Sequence, residues 1–173
     1  MSEPAAEQTI RPEPQLLGIY LNDHLAGATA GVQLVRRLAR SMRGTPLGEP
    51  LSGLAEEIAA DREELVAIMD ELDVPIRRYK LYTAAAAELA GRLKFNGHLL
   101  TRSPLSAVVE LEMLRLGIEG KASGWRTLRT VGVAHGRPDV GRMDRLIERA
   151  TEQAAQVETL RVRAAARVFG TVT

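Results

Sequence analysis

Apolar residues return every three or four positions along almost the whole chain, the spacing of one face of an α-helix. Gly, Pro and Asp punctuate the runs, and no segment has a convincing strand pattern. Five helices are expected. The first covers about Pro14 to Arg43, through QLLGIYLNDHLAGATAGVQLVRRLARSM, and Gly44, Pro46 and Pro50 break the chain after it. The second covers about Pro50 to Leu72, where Asp73 and Pro75 stop it. A shorter third carries YKLYTAAAAELAGRLKF and ends near Gly97. Ser103 then offers an N-cap oxygen and Pro104 the preset φ of a first helical turn, so a fourth runs from there to about Val131. After GVAHGRP, Asp139 caps a fifth that ends near Gly170.

Four long helices and one shorter connecting helix are the parts of an all-α bundle. The short loops make neighbouring long helices mostly antiparallel. One domain is expected over residues 14–170, after a lead at residues 1–13 whose Pro, Glu and Gln content points to disorder.

Composition narrows the function classes. The net charge of +1 gives no electrostatic footprint for a nucleic-acid partner. Cysteine is absent, which excludes disulfides and thiolate metal sites and fits a cytoplasmic location. No apolar run reaches membrane-spanning length. With aromatics at 3%, the core must come mainly from Leu, Val, Ile and Ala.

Charges interrupt the apolar stripes. In the first helix the stripe is read as Leu16, Tyr20, Gly27, Gly31, Leu34 and Leu38, with Asp23 at its centre and His24 at its margin. In the second, Asp61 falls in the centre of Leu54, Ile58, Leu65, Ile68 and Leu72, with Glu57 and Arg62 at the edges. In the fourth, ELEMLRLGIEGK places Glu112, Arg115 and Glu119 between two apolar stripes. In the fifth, Glu158 and Arg161 point the same way as Met143, Ile147, Val157 and Val168. Each long helix thus sends a carboxylate inward, as bundles with a metal site or a polar core network do.

Two long helices, a connecting segment, two more long helices and inward carboxylates resemble the ferritin-like superfamily. In its metal-binding members, two helices each supply a Glu and the other two each supply Glu-x-x-His. Here the spacing is kept but histidine is missing: Glu112 to Arg115 and Glu158 to Arg161 are both Glu-x-x-Arg. Arginine stays protonated and has no lone pair for a metal, but it can fork onto carboxylates. The expectation is therefore a core polar network of Asp23, His24, Asp61, Glu112, Arg115, Glu119, Glu158 and Arg161 in place of a di-metal centre, with no cofactor.

Two levels are expected along the bundle. Glu112, Arg115, Glu158 and Arg161 form one. Asp23, Asp61 and Glu119 form the other, with His24 beside them. That second set is the alternative metal site, for a single ion in an atypical oxidase or oxygenase; a hydrogen bond from His24 to Asp61 or Glu119 is the plainer reading.

Other features carry less. His98 and His135 fall in loops, and no histidine pair has metal spacing. GIEGKAS lacks the phosphate-loop pattern. Arg149, Arg161, Arg163 and Arg167 interleave with Glu148, Glu152 and Glu158, which reads as a solvated face. Gly117, Gly120 and Gly124 favour close approach of another helix, the Ala-rich third one or a second subunit in a homodimer. A ligand cavity lined by Tyr20, Trp125, Gly27, Ala30 and Gly31 is a further reading. The function expected is a non-catalytic bundle that binds a protein partner or small ligand, or serves as a structural subunit.

Overall fold

The computed structural model describes residues 14–77 and 104–170. Among them are four α-helices and no strand: α1 (Pro14–Ser41), α2 (Gly48–Glu71), α3 (Pro104–His135) and α4 (Val140–Phe169). The expected lead, the shorter third helix and the Ser103 cap lie outside the described residues.

Local chemistry accounts for the helix ends. Pro14 and Pro104 each open a helix, where a missing N–H costs nothing. Pro50 sits inside the first turn of α2, so that helix starts two residues before the expected position. Asp139 Oδ1 accepts from the Arg142 amide at 2.6 Å, the expected cap of α4. At the end of α2, Asp73 adopts a left-handed φ of 56°. Its N–H reaches Asp70 O at 3.0 Å and that of Val74 reaches Met69 O at 2.8 Å, a Schellman closure. Between α3 and α4 the backbones pass so closely that a Cβ on Gly132 would lie 2.3 Å from Pro138 O.

The chain after α2 is clasped to α1. Asn22, buried on α1, donates through Nδ2 to Gly18 O at 2.7 Å and to Pro75 O at 3.1 Å. Its Oδ1 accepts the Arg77 amide at 2.7 Å.

Side-chain pairs fix the winding. Thr29 meets Arg62 across α1 and α2. Arg129 meets Asp144 across α3 and α4. Tyr20 meets Thr127 and Arg37 meets Glu110 across α1 and α3. Gln153 meets Glu57 and Arg142 meets Glu71 across α4 and α2. Between α1 and α3, and between α2 and α4, position rises along one helix as it falls along the other. The short turns at 42–47 and 136–139 fold the other two pairs into hairpins, so all four neighbouring pairs are antiparallel. The order is up, down, down, up: two hairpins, α1–α2 and α3–α4, laid side by side. It follows that α2 ends and α3 begins at opposite ends of the bundle.

The core is aliphatic, with Leu21, Leu54, Ile68, Leu111, Leu128 and Met143 almost fully enclosed. The apolar stripe expected on α2 faces inward, and so does one of the two expected on α3, that of Leu111, Leu114, Ile118, Ala122 and Trp125. Of the other, Val109 and Leu116, Leu116 is 64% exposed. On α1 the choice of stripe needs correction: Leu21, Leu25, Val32, Val35 and Leu38 are buried, while Leu16 is 62% exposed. Both stripes have helical spacing, and the buried one is richer in large aliphatics, which gain more from leaving water. Among the described residues, no helix is long and apolar enough to cross a membrane.

Candidate functional site

The second helix places Asp61 one step after Ile58 and one before Leu65 on its buried stripe, and it is only 2% exposed. A carboxylate there needs partners, because an unpaired buried charge is severely penalised. It has them on both oxygens. Oδ2 accepts from Lys121 Nζ of α3, and Oδ1 accepts from Arg149 Nη2 of α4. The same Lys121 ammonium donates to Gln153 Oε1. Gln153, 1% exposed, donates in turn through Nε2 to Glu57 Oε2 of α2 at 3.0 Å. Three helices therefore meet in one node holding two acids and two bases.

Burial lowers the pKa of Lys121, and Arg149 pushes it the same way; Asp61 and Glu57 oppose this. Desolvation is the largest of these effects, as expected for an ammonium withdrawn from water. Two buried donors, Arg149 Nε and Trp125 Nε1, have no hydrogen-bond partner among the described residues. Chemically, the node neutralises charge. Both Asp61 oxygens are taken by cations, so neither is presented as a base or as an open ligand position.

The other acids and bases lie elsewhere. Glu158 and Arg161 form a fork on α4, at 2.9 Å and 2.6 Å. Arg115 reaches Glu158 at 3.7 Å, and Arg161 reaches Glu112 at 3.7 Å. The Arg161 guanidinium holds the Glu158 carboxyl below its ordinary pKa, and Arg115 adds to this. The structure brings these four side chains together, but the expected burial is corrected: the Arg115 and Glu112 side chains are 44% and 50% exposed. Their positions fall on the outer side of the α3–α4 seam, where water solvates both signs of charge.

Asp23 and Glu119 are exposed and do not join Asp61. His24 is half-buried in the α1–α3 seam, with its ring 4.4 Å from that of Tyr20. A Cβ on Gly124 would come within 3.0 Å of His24 Nδ1, so this glycine makes room for the imidazole. Tyr20 Oη lies 3.1 Å from Thr127 Oγ1 and closes the seam above it. Burial lowers the His24 pKa, partly offset by Asp23. The expected set of Asp23, His24, Asp61 and Glu119 is thus not assembled. Among the described residues, no three or more His, Cys, Asp or Glu side chains are placed to hold a metal ion. The physical reason is the stripe on α1: once Leu21 and Leu25 face the core, Asp23 faces water.

The cavity read from Tyr20, Trp125 and the small residues of α1 also dissolves, because Trp125 is packed in the core while Gly27 is exposed. A half-open cavity of about 470 Å³ does lie at the α1–α2 turn, beside Arg40, Arg43, Thr45, Gly48, Glu49 and Ser52.

Sequence reasoning missed Lys121 and Gln153 and assigned Arg149 to the solvated face. A signal existed for the first two. Lys121 stands between Ile118 and Trp125 at steps of three and four, and Gln153 stands likewise between Ala150 and Val157. A search tuned to carboxylates and imidazoles as metal ligands passes over an ammonium and an amide. No family model, curated protein or solved structure matches the chain.

Proposed function

We propose that this chain is a ferritin-like bundle without catalytic activity, working in the cytoplasm as a binding or structural protein for a protein partner or a small ligand. The up-down-down-up order supports the family reading, since ferritin-like bundles also join two antiparallel helix pairs through one long crossover. The observation that carries the reading is Lys121. Its ammonium lies between the carboxylate of α2 and the amide of α4. Metal-binding bundles hold their cations by inward side chains of facing helices. In this chain a covalently attached cation fills that role, with Arg149 as a second. A divalent ion next to Asp61 would have to displace both, against their charge.

The test is metal analysis of protein grown with iron and manganese supplied and purified without chelator. The expected content is well below one ion per chain, with Lys121→Met no higher than wild type because Arg149 still holds Asp61. Stoichiometric iron or manganese in the wild type would overturn the reading and restore the oxidase class.

A further inference from the structure

Many arginines of the bundle are tied to acids. Arg129 meets Asp144, Arg142 meets Glu64 and Glu71, Arg149 meets Asp61, and Arg161 meets Glu158. The end of the bundle at the α1–α2 turn differs. Arg40 and Arg43 line the cavity there, and among the described residues neither meets a carboxylate, although Glu49 lines the same cavity. On α4, which packs beside α2, Gln153 stands level with Glu57 and Arg149 with Asp61. Counting on from those pairs brings Arg163 level with Leu47 and Arg167 level with Arg43. Both are exposed and meet no acid among the described residues. This end therefore gathers Arg40, Arg43, Arg163 and Arg167, with Glu49 opposing them.

The helix dipole favours a cation in the last turn of a helix, which accounts for Arg40 and Arg167. It does not account for a cavity of about 470 Å³ walled by two arginines. Sites for small molecules run from roughly 300 to 1,000 Å³. The turn that carries Arg43 is also fixed before any ligand arrives. Gly44 takes a left-handed φ of 78°, and the Gly48 amide reaches Thr45 O at 3.0 Å. The lining hydroxyls are already committed: Thr45 Oγ1 donates to Met42 O at 2.7 Å and Ser52 Oγ to Gly48 O at 3.0 Å. Recognition in this cavity therefore falls to the guanidiniums.

We propose that the cavity binds a phosphate group, free or carried by a small molecule, through Arg40 and Arg43. A guanidinium presents parallel N–H donors that fork onto two oxygens of a phosphate. Two of them match a doubly charged group, and a dianion outweighs the opposing Glu49 better than a monoanion does. Arg163 and Arg167 add to the positive field that draws anions to this end. The proposal gives a ligand class to the small-ligand reading above, and rests on it in assigning no chemistry to the site.

The test is an NMR titration of the amide resonances with inorganic phosphate, ribose 5-phosphate and acetate at matched ionic strength. Both phosphates are expected to give saturable shifts centred on residues 39–52, and acetate much smaller ones. Arg40→Gln and Arg43→Gln should each weaken phosphate binding about tenfold or more, and Glu49→Gln should strengthen it. Arg126→Gln removes the same charge from an exposed position one residue before Thr127, which pairs with Tyr20 far from the turn. Its affinity should stay within about twofold of wild type, since distant charges are screened. Tighter binding of ribose 5-phosphate would assign the group to a phosphorylated small molecule, and tighter binding of inorganic phosphate would assign the free ion. No saturable shift with either, an equal response to acetate, or equal losses for Arg126→Gln and Arg43→Gln would overturn the proposal. None of these results bears on the metal analysis, and stoichiometric metal would remove the non-catalytic reading without moving these shifts.

Discussion

The Asp61 node and the Glu158 quartet draw on the same helix, α4, and on the same kinds of side chain, yet they differ in two respects. The node is centred on the buried Asp61 and Gln153, with Glu57 exposed at its edge, and joins the two hairpins: Asp61 and Glu57 come from α2, while Lys121, Arg149 and Gln153 come from α3 and α4. The quartet is largely solvated and stays within one hairpin, since Glu112, Arg115, Glu158 and Arg161 all belong to α3 and α4. Withdrawing charges from water is costly, so a buried pair need not add net stability even though breaking it is severe. An exposed pair is cheap both to make and to lose. Reach and burial, not the number of ion pairs, decide which cluster matters to the fold.

The sharpest way to break this comparison is Asp61→Ala. It leaves Lys121 and Arg149 facing each other without an acid, and the expected loss is about 3–5 kcal/mol in urea or thermal unfolding. A loss no larger than that of a surface acid would mean the node is open to water. The second measurement asks whether charge as such is needed. Asp61→Leu combined with Lys121→Met removes both buried charges and frees Arg149, whose side chain is 37% exposed, to turn outward. The double variant is expected to be more stable than Asp61→Ala by about 1–4 kcal/mol. If it were no better, the acid would be stabilising through more than compensation of its neighbours.

His24 lies between the two extremes, and pH reads it. Its folded pKa is below the ordinary 6.5. Between those values the unfolded chain binds more protons, so stability should fall as pH drops from 6.5 through the folded pKa, and this contribution should level off below it. His24→Gln should flatten that part of the stability–pH curve relative to wild type. An unchanged slope would assign it to other groups. The smallest effect is expected at the quartet. Arg115→Ala and Arg145→Ala should agree within about 0.5 kcal/mol. A clearly larger loss for Arg115 would show the quartet to be sheltered after all.

The helical class, the α4 cap at Asp139 and the buried position of Asp61 were all legible in the pattern, because each depends on spacing along one helix. Which of two stripes on α1 faces inward was not, since both Leu16–Tyr20 and Leu21–Leu25 satisfy the period. That choice is made by the neighbours, which a single helix does not reveal. The exposure of Glu112 and Arg115 was lost for the same reason: residues between two apolar stripes are inside only if both stripes are covered. The pairing of Glu158 with Arg161 was legible because a step of three puts them side by side on one helix. The partners of Asp61 were not, since they come from 60 and 88 residues away.

The node bridging the hairpins also constrains how they slide. A shift of one hairpin by a single helical turn would keep leucine against leucine, at modest cost. It would also carry Asp61 away from its ammonium and guanidinium and strand it among aliphatic side chains. The acid therefore works as a registration key: it penalises every near-native sliding isomer that an all-aliphatic seam would accept, and leaves one vertical setting of the two halves.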